Sequence, residues 1–211
     1  MQRGRFITLE GGEGSGKTTQ MQRLVERLKP LVGEIVVSRE PGGSIGAEQI
    51  RNLLVNGPPE RWSAHTETLL MYAARRDHIE RLIDPALRHG AWVVCDRFHD
   101  STRAYQGAAG GAPAPLIDAL EHTVLEGLSP DLTLILDLPV DIGLARAADR
   151  DDGEARFEAK GHEFHERLRQ AFLHIARKEP DRCVVIDAEG TVEAIEARIW
   201  AAVSDRMGVR A

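Results

Sequence analysis

Arg5-Phe6-Ile7-Thr8-Leu9 runs into Gly11-Gly12-Glu13-Gly14-Ser15-Gly16-Lys17-Thr18, and beyond it Met21, Leu24, Val25, Leu28 and Leu31 recur at helical spacing. A β-rich run, a glycine cluster and an amphipathic helix therefore follow one another. The middle segment fits G-x-x-x-x-G-K-[ST] without a mismatch, and it lies where that motif works, between a strand and a helix. Its glycines let backbone N–H groups converge on phosphate oxygens, and the helix N-terminus adds unpaired donors and a positive dipole end. Lys17 is placed to bridge the outer phosphates of a bound nucleotide, and Thr18 to ligate Mg²⁺ through its hydroxyl.

The rest of the chain alternates in the same way. Apolar runs at 34–38, 91–95, 132–138 and 183–186 read as further strands, and helical periodicity covers 47–55, 66–83, 117–125, 164–175 and 192–203. The run Ala91-Trp92-Val93-Val94-Cys95 is apolar throughout, as suits a parallel strand covered on both faces. Pro30 and Gly33 are expected to close the first helix, and Pro85 to interrupt the long one. The glycine-rich stretch 107–115 reads as a loop. The stretch 149–158 is charged and lacks apolar periodicity, and so reads as a loop or mobile lid. Strands alternating with helices argue for one α/β domain, in which helices flank a five-stranded parallel sheet in three layers.

Composition narrows the function. The net charge is −6, with 33 acids against 27 bases, so bulk attraction to nucleic acid or to an anionic membrane is not expected. Phosphate binding must come from a few placed groups. The two cysteines, Cys95 and Cys183, sit in apolar runs and read as buried thiols without a disulfide or metal role. No apolar stretch is long enough to span a bilayer, and the N-terminal run has the pattern of a strand, so a cytoplasmic location is expected.

A phosphate loop serves switches, motors and small-molecule kinases alike. Asp96 and Arg97 follow the buried 91–95 strand directly. In open α/β sheets ligands sit at that carboxyl edge. Asp96 is thus a candidate for organising Mg²⁺, and Arg97 for gripping a second phosphate in a bidentate fork. The N-K-x-D base-reading motif of GTPases is missing from the sequence.

Several separated segments resemble the bacterial thymidylate kinases. They are Leu9-Glu10-Gly11 through Lys17-Thr18-Thr19, Arg39-Glu40-Pro41-Gly42-Gly43, Tyr72-Ala73-Ala74-Arg75-Arg76-Asp77-His78, and Asp96-Arg97-Phe98 with Ser101-Thr102 and Ala104-Tyr105-Gln106-Gly107. Order and spacing match from about residue 5 to 190. The resemblance implies a P-loop NTPase fold and transfer of the γ-phosphoryl group of ATP to dTMP, with Mg²⁺, in a homodimer. It implies that Glu13 lies near the deoxyribose 3′-hydroxyl and the acceptor, and that Arg51 and Arg97 hold the dTMP phosphate. Arg75, Thr102 and Gln106 are implied to bond the thymine edge, with Ser101 beside them. A cis peptide is implied before Pro41. Another nucleoside monophosphate as acceptor, or a nucleotide-driven switch, are the alternative readings.

Two positions depart from the family pattern. Met71 stands where members commonly stack an aromatic ring on thymine. Gly14 stands where some members carry an arginine, so the resemblance is to the subtype whose lid, about 146–158, supplies that charge. Arg146, Arg150 and Arg156 are its arginines. Arg150 is the first choice for the catalytic one and Arg156 the second.

Overall fold

The computed structural model describes residues 3–58, 60–148, 155–158 and 160–210. Strands β1 (Phe6–Gly11), β2 (Ile35–Arg39), β3 (Trp92–Asp96), β4 (Leu132–Asp137) and β5 (Cys183–Asp187) form one sheet in the order β2-β3-β1-β4-β5. Every pairing is parallel. The helices are α1 (Lys17–Val32), α2 (Ile45–Val55), α3 (Ala64–His78), α4 (Asp84–Arg88), α5 (His99–Thr102), α6 (Ala114–Leu125), α7 (Val140–Ala148), α8 (Ala155–Glu158), α9 (His162–Lys178) and α10 (Val192–Met207).

Alternation along the strands distributes the core. Ile7 and Leu9 of β1 join Leu132, Leu134 and Leu136 of β4 on one face, where Met21, Leu24 and Leu28 of α1 and Ile195, Ile199 and Val203 of α10 cover them. Phe6, Val93 and Cys95 face the opposite way, toward Tyr72 of α3 and Ile117 of α6. Ile135 and Cys183 on β4 and β5 pack with Phe164, Leu168 and Phe172 of α9. The three-layer α/β expectation holds. Both cysteines are buried and free. Within the sheet, the outermost strands leave Val37 and Val185 half exposed.

Gly33 closes the first helix as expected, but Pro30, Pro85 and the 107–115 stretch act differently from the sequence expectation. Helix α1 continues through Pro30 to Val32, and the Gly33 N–H then closes it on the Lys29 carbonyl. Proline's fixed φ is helical, and the hydrogen bond it forfeits falls in the last turn. Pro85 does not break the chain either. A π-helical turn, Ile79–Ile83, widens the backbone so that the Asp84 N–H bonds Ile79 O, and α4 follows with Pro85 in its first turn. The stretch expected as loop is partly ordered by a second π-helix, Arg103–Ala109, from whose Gln106 and Gly107 carbonyls Ala112 and Gly111 take hydrogen bonds. π-turns carry no simple sequence period, and they occur frequently at functional sites.

Leu134 is fully buried and pairs in register with Leu9 of β1. Leu134→Ala is expected to cost about 2–5 kcal/mol of stability, since the sheet cannot collapse around the void. Urea denaturation followed by circular dichroism measures it.

Candidate active site

Register brings the working ends of two strands together. Leu9 of β1 lies opposite Asp96 of β3, so the loop after β1 and the turn after β3 face each other. Within the loop, the Lys17 amine donates to Gly11 O at 3.1 Å, Gly12 O at 2.8 Å and Ser15 Oγ at 3.2 Å. Burial, reinforced by the Arg97 charge, lowers its pKa to about 8 against the pull of Asp96 and Glu13. The Thr18 hydroxyl donates to Asp96 Oδ2 at 3.1 Å. The other oxygen, Asp96 Oδ1, is buried without a partner among the described residues. A hydroxyl touching a carboxylate that has one unsatisfied oxygen suits a small hard cation. Among the described residues no group of three or more His, Cys, Asp or Glu could hold a metal. The donor set fits Mg²⁺, which retains waters and takes phosphate oxygens as further ligands.

The turn after β3 is sharply bent. Arg97 has φ 69°, in the left-handed region. The Glu10 carboxylate holds the next residues, accepting from Phe98 N at 2.8 Å and Ser101 Oγ at 2.6 Å. Burial and the nearby Asp100 raise the Glu10 pKa to about 8, although Ser101, Arg97 and the Phe98 N–H oppose the shift. So fixed, the Arg97 guanidinium reaches Gly11 O at 3.0 Å and Glu13 Oε2 at 2.7 Å. It lies 4.8 Å from the Tyr105 ring centroid, and the Tyr105 hydroxyl donates to Glu13 Oε1 at 2.8 Å. Burial alone would raise the Glu13 pKa, but Arg97 and Lys17 hold it below the ordinary value.

Two cavities open on this cluster. One runs along the phosphate loop to Asp96; the other is lined by Met71, Arg75, Phe98, Ser101, Thr102 and Gln106. Glu13, Glu40, Arg51 and Arg97 border both. In the second cavity Arg75 donates to Glu40 Oε2 at 2.7 Å, Phe98 O at 3.0 Å and Thr102 Oγ1 at 3.1 Å. Its Nη1 is buried without a partner among the described residues, a donor available to a ligand. The Glu40-Pro41 peptide is cis, and the carbonyl of Pro41 accepts from Arg51 Nη1 at 2.5 Å.

Residues 9–199 match the family model described as thymidylate kinase. The chain belongs to the thymidylate kinase family. It is 63% identical over 209 residues to a thymidylate kinase of Caulobacter vibrioides, covering 99% of this chain and 100% of that one. It is 53% identical to that of Nitrobacter winogradskyi, over 97% of this chain and 90% of the other. The crystal structure of thymidylate kinase from Ehrlichia chaffeensis superposes with a TM-score of 0.76 at 35% identity, covering 95% of this chain and 99% of that chain.

The site candidates named for this family from the sequence converge, with one outside view. Glu13 through Thr18, Asp96 and Arg97 line the first cavity, with Gly11 and Gly12 behind it accepting from Lys17, and Arg51, Met71, Arg75, Ser101, Thr102 and Gln106 line the second. Arg150 lies outside the described residues. Arg146 sits exposed on α7. Arg156 is buried: it pairs with Glu67, and bonds Leu54 O at 3.0 Å and Pro58 O at 3.3 Å. It clamps α8 onto α2 and α3. The 149–158 stretch was expected to have no apolar face to dock. Phe157 supplies one, meeting Tyr105 edge-on at 5.7 Å and lining the second cavity with Phe98. One aromatic suffices to dock so short a helix, and it leaves no periodicity to read. Glu10, Glu40, Glu67 and Tyr105 carry roles that residue-by-residue reading missed. For Glu10 a signal existed, since strand alternation puts it on the same side as Phe6 and Thr8.

Position 14 has a steric explanation. Gly14 has φ +67°, and a Cβ there would lie 2.0 Å from the Gly143 carbonyl oxygen of α7. A Cβ on Gly143 would in turn lie 2.5 Å from Glu13 O. Two backbones meet where a side chain would stand.

Because the free Lys17 amine titrates near pH 8, a bound polyphosphate that raises this pKa must drive proton uptake above that pH. Calorimetry of nucleotide binding in buffers of differing ionisation enthalpy is expected to show uptake at pH 8.5 and little at pH 6.5. Lys17→Ala is expected to abolish it.

Proposed function

We propose that the chain transfers the γ-phosphoryl group of ATP to dTMP, giving dTDP for dTTP synthesis. The observation that carries this reading is the shared wall. A phosphate-loop cavity and a base-sized cavity with unsatisfied polar groups meet at Glu13, Arg51 and Arg97. That is where a donor and an acceptor phosphate must be held in line. A switch or motor has no use for the second cavity.

In this reading Gly11–Thr18 cradle the ATP phosphates and Lys17 lies on the β- and γ-oxygens. Thr18 and Asp96 hold Mg²⁺, which when bound neutralises phosphate charge. Arg97 and Arg51 draw in the acceptor phosphate. An oxygen of dTMP bonds to the γ-phosphorus as its bond to the β-bridging oxygen breaks, and the electron pair leaves with ADP. Arg75, Thr102, Gln106 and Ser101 meet the thymine edge, and Met71 packs on its face, with Phe98 and Phe157 on the same cavity wall. Glu13 faces the sugar. Arg150, from the lid, brings charge to the transferring group. The enzyme works as a cytoplasmic homodimer. No helix of the described residues is long and apolar enough to cross a membrane.

A coupled ADP-release assay over a panel of nucleoside monophosphates tests the reading: dTMP is expected to be used at least about 10²-fold better, in kcat/KM, than dCMP, AMP or GMP. Preference for another member of the panel overturns it. Arg97→Ala is expected to raise the KM for dTMP at least tenfold while ATP affinity changes less than threefold, the loss of one charged hydrogen-bonding group. Arg150→Ala is expected to lower kcat by roughly 10²–10⁴-fold with both KM values nearly unchanged, as for an arginine acting in cis.

A further inference from the structure

Glu67 lies in the first turn of α3 and is buried, 4% exposed. It does not line the base cavity, yet it touches Gln106, which does, and Arg156, which holds α8 in place. One oxygen, Oε1, accepts from the Gln106 side-chain amide nitrogen at 2.8 Å. The other, Oε2, pairs with Arg156 of α8. Arg156 is also bonded to the carbonyls of Leu54 and Pro58 at the end of α2.

An amide has two chemically opposite ends, and a glutamine in isolation turns either one to a ligand. A carboxylate only accepts. Gln106 must therefore give its N–H to Glu67, which leaves the amide oxygen as the end free for a ligand. Gln106 is 1% exposed, so the ordering is not averaged by water. The Arg156 guanidinium engages the second carboxylate oxygen, and the same contact ties α8 to the pocket.

We propose that Glu67 is the positioning residue that gives the pocket its hydrogen-bond polarity, making Gln106 an acceptor for a pyrimidine ring N–H and setting it against a pyrimidine whose corresponding ring nitrogen is bare. Thymine and uracil carry that N–H; cytosine does not. The inference rests on the second cavity being the base site. It differs from that reading in assigning discrimination to a residue that does not meet the base. A wrong base leaves two acceptors facing each other, and unpaired buried polar groups are what make such discrimination large.

The test compares dTMP and dCMP, in kcat/KM and in calorimetric affinity, for the wild-type enzyme, Glu67→Gln, Arg156→Gln and Gln106→Leu. In Glu67→Gln the new amide bonds Gln106 in either orientation, so the preference for dTMP over dCMP is expected to narrow about tenfold or more. Affinity for dCMP should rise as that for dTMP falls, while ATP affinity stays within threefold. A role in folding alone weakens both nucleotides together and leaves the ratio unchanged; that result overturns the proposal. Arg156→Gln keeps the carboxylate on Gln106, so it is expected to raise the dTMP KM with the ratio kept within about threefold. Narrowing equal to that of Glu67→Gln overturns the assignment to the carboxylate. Gln106→Leu removes the oriented amide without touching the ion pair, and must also narrow the ratio; an unchanged ratio overturns the proposal even if Glu67→Gln fails to fold. A wild-type enzyme that does not use dTMP would strike the activity itself, a result separable from any of these.

Discussion

The Glu10 carboxylate, buried at the end of β1, is the interaction on which the site depends. Strand pairing puts β1 beside β3, and alternation turns Glu10 to the side away from α1. There it accepts from the Phe98 N–H and the Ser101 hydroxyl at once. Those bonds fix the turn in which Arg97 adopts a left-handed backbone, a conformation disfavoured for any residue with a Cβ. From that turn the guanidinium reaches the phosphate loop and Glu13, while Ser101 and Thr102 face the second cavity. One carboxylate thus couples both cavities to the sheet.

Such a site holds far more buried charge than stability favours. Lys17, Arg75 and Glu40 are nearly inaccessible, and taking ions from water costs several kcal/mol each after relaxation. The charges therefore appear in matched sets: Arg97 with Glu13, Arg75 with Glu40, Arg156 with Glu67. Glu40 also accepts from His78 at 2.9 Å, and its pKa stays low despite burial because Arg75 and His78 face it. Beneath α5 a further layer, Asp100 with Arg182 and Arg103, fills the sheet face where an apolar core would be expected. Thr8 and Thr133 share a hydrogen bond at 2.8 Å beside it. The return on this electrostatic cost is orientation: each guanidinium has one geometry before any nucleotide arrives.

The α/β fold was legible because its signals are local. Apolar strands, a phosphate loop between strand and helix, and helical stripes each declare themselves within a dozen residues. The half of the candidate site around the loop from Gly11 to Thr18 and at Asp96-Arg97 stood out in the sequence for the same reason. Residues acting across the chain were not. Glu67 and Gln106 are separated by 39 positions and Arg75 and Glu40 by 35, so only the fold puts them in contact. The two π-turns escaped too, since Pro85 and the glycine-rich stretch from Gly107 read as breaks, while one wider turn leads into Pro85 and the other runs on through Gly107 to Ala109. Phe157 was hidden by the charged residues around it.

The apposition of Gly14 and Gly143 constrains how this enzyme can change. Where relatives of another subtype carry an arginine, the backbone of α7 already fills the space. A side chain therefore cannot enter the loop at position 14 through one codon change; α7 would have to retreat first. Packing thus sets what these two positions can become: neither Gly14 nor Gly143 can gain a side chain unless the two backbones part.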